Sequence, residues 1–249
     1  MKVSALKKKK GFTLIELMVV IAILATLAAI GSGPILDHLN DGDRQMASSN
    51  LKSLHTMLQQ FKTDNGSFPC DATAETLQEN KPDYNFGELK GNTSNAYYRQ
   101  LFYDSRNVSE KPFFAKINCN GKMVSANGDD KIANGAALGR GENGMGYVLM
   151  NGDEGMIGVD KSNAPLAICG VYPTATPYNG TKVDFDMKSF RGHVFVLTVD
   201  GSVNDIQGSL SEDDEDEEKG HLSEGKEIFP ETRKGKATAD KYSVLAPEL

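Results

Sequence analysis

Apolar residues crowd one end of this chain. From 12 to 30 the sequence carries a single charge, Glu16, and meets no helix breaker until Gly31, Gly33 and Pro34. Those nineteen residues, at ~1.5 Å rise each, come close to the ~30 Å of a bilayer core, so the run predicts a membrane-length helix. Leu36, Leu39, Ala47, Leu51, Leu54, Leu58 and Phe61 then mostly recur at spacings of three and four, which predicts an amphipathic helix over 31–64. Read as one rod, 12–64 would span roughly 80 Å. Gly31, Gly33 and Pro34 are positions where it can melt or kink, and Asp41-Gly42 is a second weak point. Asn65-Gly66 supplies a left-handed cap, and Pro69 keeps the helix from resuming.

The pattern changes over 65–249, which reads as a globular head. A short helix is expected over 71–77 and a second over 93–103, with a strand at 113–117. Gly, Asn and Asp dominate 121–146, so a long loop or several turns are expected there. Alternating residues return at 147–150 and 156–159, and more clearly at 193–199 and 202–206. The last two are joined through Asp200-Gly201, read as a two-residue hairpin turn that sets Val194, Val196 and Thr198 on one face. Residues 225–249 mix basic and apolar positions around Pro230 and Pro247 and are expected to return along a sheet edge. The fold class is α+β: a long N-terminal helix, half membrane-length and half amphipathic, packed on a small antiparallel head.

Composition sharpens the picture. Hydrophobic residues make up 39% of the 249, too few for a wholly membrane-buried chain. Net charge is −7, yet Lys2, Lys7, Lys8, Lys9 and Lys10 all precede Phe12; without them 22 basic residues face 34 acidic, a net of −12. An acidic head repels phosphate backbones, so nucleic acid is not expected as a partner. The basic residues 1–11 should stay on the cytoplasmic side of a membrane, which places the head outside. Cys70, Cys119 and Cys169 show no C-x-x-C or Cys/His cluster. They allow either one disulfide with one free thiol or three small buried hydrophobes.

Three kinds of N-terminus fit a basic stretch ahead of an apolar run. A secretory signal peptide has a shorter apolar core and no carboxylate, although Ala29-Ile30-Gly31 offers a small-x-small site. A plain anchor has no use for Glu16, whose carboxylate is costly in an apolar helix unless it snorkels to the interface or finds a partner. The third kind is carried by the residues themselves. Gly11-Phe12-Thr13-Leu14-Ile15-Glu16-Leu17-Met18-Val19-Val20-Ile21-Ala22-Ile23-Leu24-Ala25 resembles the prepilin segment of type IV pilins and type II secretion pseudopilins. The stretch 61–69 (FKTDNGSFP) resembles the segment that follows the long helix in major pseudopilins.

This resemblance implies a ladle-shaped filament subunit: a leader 1–11, a membrane and filament-core helix 12–30, the amphipathic continuation 31–64 and the head. It implies cleavage between Gly11 and Phe12 by a prepilin peptidase, N-methylation of Phe12, and Glu16 as the assembly carboxylate. The implied partners are copies of the chain, other pilin-like subunits, the peptidase and an inner-membrane assembly platform, with the head in the periplasm or in an extracellular filament. The alternative is a minor pilin or adhesin-like binding protein on a single membrane helix. Heads of this kind often hold calcium, and the acidic loop 212–218 offers Asp213, Asp214 and Asp216, although no D-x-D-x-D-G loop is present. Catalytic chemistry is not expected: His38, His55, His193 and His221 lack metal spacing, and 139–144 (GRGENG) lacks the Lys-Ser/Thr pair of a phosphate loop.

Overall fold

The three-and-four spacing becomes helix α1, Leu14–Asn65, in a computed structural model. The structure describes residues 12–103, 109–119, 122–123, 132, 137–150, 163–179, 183–210, 219–222, 228 and 242–248. Two compact units result, Met1–Gly42 and Asp43–Leu249.

In the first unit α1 stays helical through Gly31, Gly33 and Pro34. Pro34 forfeits its own amide hydrogen bond without ending the helix. Every side chain from Phe12 to Leu27 is exposed. The side chains of 28–40 lie outside the described residues, and among the described residues no helix is long and apolar enough to cross a membrane.

In the second unit Ala47, Leu51, Leu54, Leu58 and Phe61 are all but fully buried, which confirms the apolar stripe read from their spacing. Helix α1 ends where expected: Gly66 takes φ +82°, and its amide donates to the Lys62 carbonyl at 2.9 Å. Helix α2, Asp71–Asn80, runs three residues past the expected 71–77. Helix α3, Ser94–Arg99, continues as a 3-10 turn over Gln100–Tyr103, together filling the expected 93–103.

The strands are β1 (Asn118–Cys119), β2 (Lys122–Met123), β3 (Met145–Met150), β4 (Pro165–Cys169), β5 (Tyr178–Asn179), β6 (Phe185–Asp186), β7 (His193–Thr198), β8 (Val203–Leu210), β9 (Lys219–Leu222) and β10 (Tyr242–Leu245). β1 and β2 form their own ribbon, and the other eight make one antiparallel sheet in the order β5-β10-β3-β4-β7-β8-β9-β6. This is larger than the two expected hairpins. Its far end curls back on itself: Phe185 of β6 bridges Val171, just beyond β4, while the Tyr172 amide donates to Asp184 and the Asp186 amide to Gly170.

Helix α1 covers one face of the sheet and the curl the other. One core holds Leu51, Leu54, Leu58 and Phe61 of α1 with Tyr147, Phe195 and Leu197. A second holds Val148, Ile168, Val171, Phe185, Val194, Val196 and Val244. Successive residues of β7 therefore enter different cores, and Val194 through Thr198 are all buried.

Three expectations are corrected. Residues 113–117 do not form a strand: Lys111–Phe113 is a 3-10 turn, with Pro112 in its first positions, and 114–117 join no ladder, the Ile117 amide turning back to the Ala115 carbonyl. The hairpin loop has three residues rather than two, because Thr198 still pairs with Ser202, the Gly201 amide donates to Thr198, and Gly201 takes φ +87°. Finally, β10 is no edge, since it lies between β5 and β3. The expected strand at 156–159 lies outside the described residues.

Candidate assembly site

The first turn of α1 carries the residues that the sequence singles out. Thr13 precedes the helix, and Glu16 is its third residue, the spacing of a capping box. Both halves of the box are made. The Thr13 amide and hydroxyl each donate to Glu16 Oε2 at 2.8 Å, and the Glu16 amide donates to Thr13 Oγ1 at 3.3 Å. Thr-x-x-Glu is readable as a cap in the sequence, so Thr13 is the functional neighbour that the reading of Glu16 alone passed over.

Glu16 is thus held at the end of an otherwise apolar surface. Phe12 is 78% exposed and Ile15 69%, and Phe12, Ile15, Glu16, Val19 and Val20 line a groove of about 350 Å³. Phe12 lies two residues ahead of α1, and it lines this groove together with Glu16. Eleven large hydrophobic side chains from Phe12 to Leu27 face outward. At ~1.5–3 kcal/mol for each when buried, they represent on the order of 20 kcal/mol to be gained from lipid or from neighbouring helices.

The remaining candidates are placed as follows. Gly11 lies outside the described residues, as do Asp213, Asp214 and Asp216. Among the described residues no group of three or more His, Cys, Asp or Glu is arranged to hold a metal. Cys70 and Cys169 are free and buried. Burial pushes the Cys169 thiol far above its ordinary range, so it packs as a small hydrophobe. The side chain of Cys119 lies outside the described residues.

The glycine-rich loop 139–144 serves the fold. Asn143, fully buried, donates through Nδ2 to Ser94 Oγ, Asn95 Oδ1 and the Met145 carbonyl, and accepts from the Met145 amide through Oδ1. Arg99, beside it, donates to the carbonyls of Ala137 and Leu138 at 2.8 and 2.9 Å. Partial burial pulls the Arg99 guanidinium below its ordinary range, against the opposing charges of Glu248, Glu88, Glu110 and Glu142. The loop's amides are taken up within the fold rather than offered to a phosphate: Gly139 donates to Glu142 Oε2, Gly141 to the Glu248 carbonyl and Gly144 to the Phe113 carbonyl.

Comparison with known proteins bears on the same end of the chain. The family described as "Prokaryotic N-terminal methylation motif" matches residues 6–32. The chain is also similar to type II secretion system core protein G of several bacteria. It is 33% identical over 97 residues to that of Pectobacterium carotovorum subsp. carotovorum, covering 39% of this chain and 62% of the relative. For Aeromonas hydrophila the figures are 34% over 76 residues, 30% and 53%. For Escherichia coli (strain K12) they are 37% over 65 residues, 26% and 45%. The chain thus spans between 45% and 62% of the length of these three relatives. No solved structure matches it.

Proposed function

We propose that this chain, which carries a prepilin-type methylation motif, is a structural subunit of a type II secretion pseudopilus. The observation that carries the reading is the coincidence of that motif with a helix end where Phe12 and Glu16 line one groove and the next apolar side chains are all exposed. Similarity to core protein G favours a secretion pseudopilus over a type IV pilus.

In this reading a prepilin peptidase cuts between Gly11 and Phe12 and methylates the new amine. Gly11 leaves the bond open to the enzyme. Residues 12–30 hold the subunit in the inner membrane with the lysines on the cytoplasmic side, and the head lies in the periplasm. An assembly platform then gathers the helices, with the amphipathic half carrying the head in a ladle-like subunit. As lipid is exchanged for neighbouring helices, the Glu16 carboxylate needs a cation in an apolar surrounding. The Phe12 ammonium of an adjacent copy supplies it, fixing the axial register of the filament. Thr13 keeps the carboxylate hydrogen-bonded until that exchange.

Glu16→Ala tests the pairing in cells that express the secretion system. The mature chain should still begin at Phe12 by N-terminal sequencing, while sheared filaments contain less than about one tenth of the normal amount of subunit, since loss of one buried charge partner leaves the other uncompensated. Filaments at normal yield would overturn the pairing, and a mature N-terminus at Met1 or beyond Ile30 would overturn the subunit reading.

A further inference from the structure

Where α2 and α3 meet the β5 end of the sheet, the head carries a cleft of about 390 Å³. Leu149 of β3, Leu245 of β10 and Pro177, just ahead of β5, give it apolar walls, and Asp71, Lys90 and Asn92 give it polar side chains. That size and that mixture suit a small ligand. The cleft shares no residue with the groove at Phe12 and Glu16.

Tyr97 positions the polar side. Its hydroxyl donates to Asp71 Oδ1 at 2.8 Å, the Gly91 amide supports the phenol oxygen, and its ring stacks on that of Tyr147. Among the described residues Asp71 Oδ2 has no protein donor, and the Asn92 side chain has no protein partner. Lys90 gives one proton to Glu75 at 2.8 Å and keeps the rest. The Glu75 hydrogen bond first, then the charges of Glu75 and Asp71, raise the Lys90 pKa. One carboxylate and one ammonium therefore line the cleft together, and neither an anion nor a cation meets an unopposed charge there.

We propose that this cleft binds a neutral, hexose-sized sugar. Each hydroxyl of a sugar ring both gives and accepts hydrogen bonds, and the C–H face of the ring is apolar. Asp71 Oδ2 accepts from one hydroxyl, Asn92 and Lys90 donate to its neighbours, and the C–H face covers Leu149 and Pro177. A zwitterion such as a dipeptide fits less well, because its carboxylate has to draw Lys90 away from Glu75. A free phosphate meets Asp71 as a like charge and gains nothing from the apolar walls.

The test titrates the isotope-labelled full-length chain with glucose, galactose and N-acetylglucosamine, followed by amide NMR in dodecylphosphocholine micelles, whose headgroup carries no sugar. Each is also offered as its methyl glycoside, which stands in for the end of a glycan chain. At least one should shift the amides of 90–92 and 243–245 saturably, with a Kd of about 1–10 mM for a ligand of about a dozen heavy atoms. A glycoside that binds as tightly as the free sugar supports a glycan end as the ligand, and one that does not bind supports the free sugar. Asp71→Asn, which leaves one acceptor for two donors, should weaken binding about tenfold, and Asn92→Ala about two- to tenfold. Asn92 is exposed, so that variant folds as the native chain does. No shift, or shifts that rise linearly without saturating, with every sugar overturns the proposal, as do affinities unchanged in both variants. So does alanylalanine that binds where all of the sugars fail. The readout needs only a single folded chain, so its failure leaves the pseudopilus reading untouched.

Discussion

Asn143→Leu is expected to destabilise the head well beyond what its loop setting suggests. Leucine keeps the branched skeleton of asparagine but is bulkier, so some overpacking adds to the cost. The larger part is polar. Asn143 Oδ1 accepts the Met145 amide at 2.9 Å, and its Nδ2 satisfies Ser94 Oγ, Asn95 Oδ1 and the Met145 carbonyl at 2.9 to 3.1 Å, all where the side chain is shut from water. Some of these groups keep other bonds. Ser94 Oγ still donates to Met145 O, and Asn95 Oδ1 still accepts from the Glu248 amide. The Met145 amide loses its acceptor outright here, a loss of ~1–3 kcal/mol, and the weakened remainder brings the total to about 3 kcal/mol. For a head of this size that corresponds to a fall in Tm of about 6–12 °C. The chain has no tryptophan, so near-ultraviolet circular dichroism of its tyrosines is the signal to follow during heating in micelles. A shift smaller than about 2 °C would refute the view that this network holds the loop, α3 and the chain end together.

Two further outcomes follow from packing and burial. Gly201→Ala should cost about 2 kcal/mol, because φ is +87° and the new Cβ would stand 2.8 Å from the His55 ring, whereas Gly66→Ala, at φ +82° with open space around it, should cost about half as much; a double-mutant cycle with His55→Ala measures the steric share, and no coupling there would contradict the contact. Tyr97, Tyr98 and Tyr147 are pushed far above the ordinary phenol range chiefly by burial. Their folded values lie above the unfolded one, so their contribution to stability is complete below pH ~10 and is lost as pH rises past it. Absorbance at ~295 nm should show these three ionising only together with unfolding; a reversible titration of all eight tyrosines near pH ~10 in a native fold would be the contrary result.

What could be read from the sequence divides along physical lines. The buried face of α1 was legible because Ala47, Leu51, Leu54, Leu58 and Phe61 pack on one side while the other meets water, so burial leaves a periodic trace. β4 left none: Pro165 to Cys169 are buried on both faces, and a strand covered twice shows no alternation. β5 and β6, two residues each, exist only because longer neighbours supply their partners. The polar residues of the head misled for a related reason. Asn95, Gln100 and Asn143 read as loop or helix surface, yet each is completely buried, and composition cannot tell an amide turned to solvent from one closing a network.

At the N-terminus the logic is reversed. Glu16 stood out because it breaks an apolar pattern, and a break that the chain itself cannot justify points to a partner. Thr13 supplies hydrogen bonds but no positive charge. The capping box therefore accounts for the carboxylate while that end of the helix can reach water, and leaves its charge uncompensated once apolar neighbours close around it. On the proposed pseudopilus reading, that uncompensated charge is what the amine of an adjacent copy would match, and a single copy of the fold cannot display such a pair.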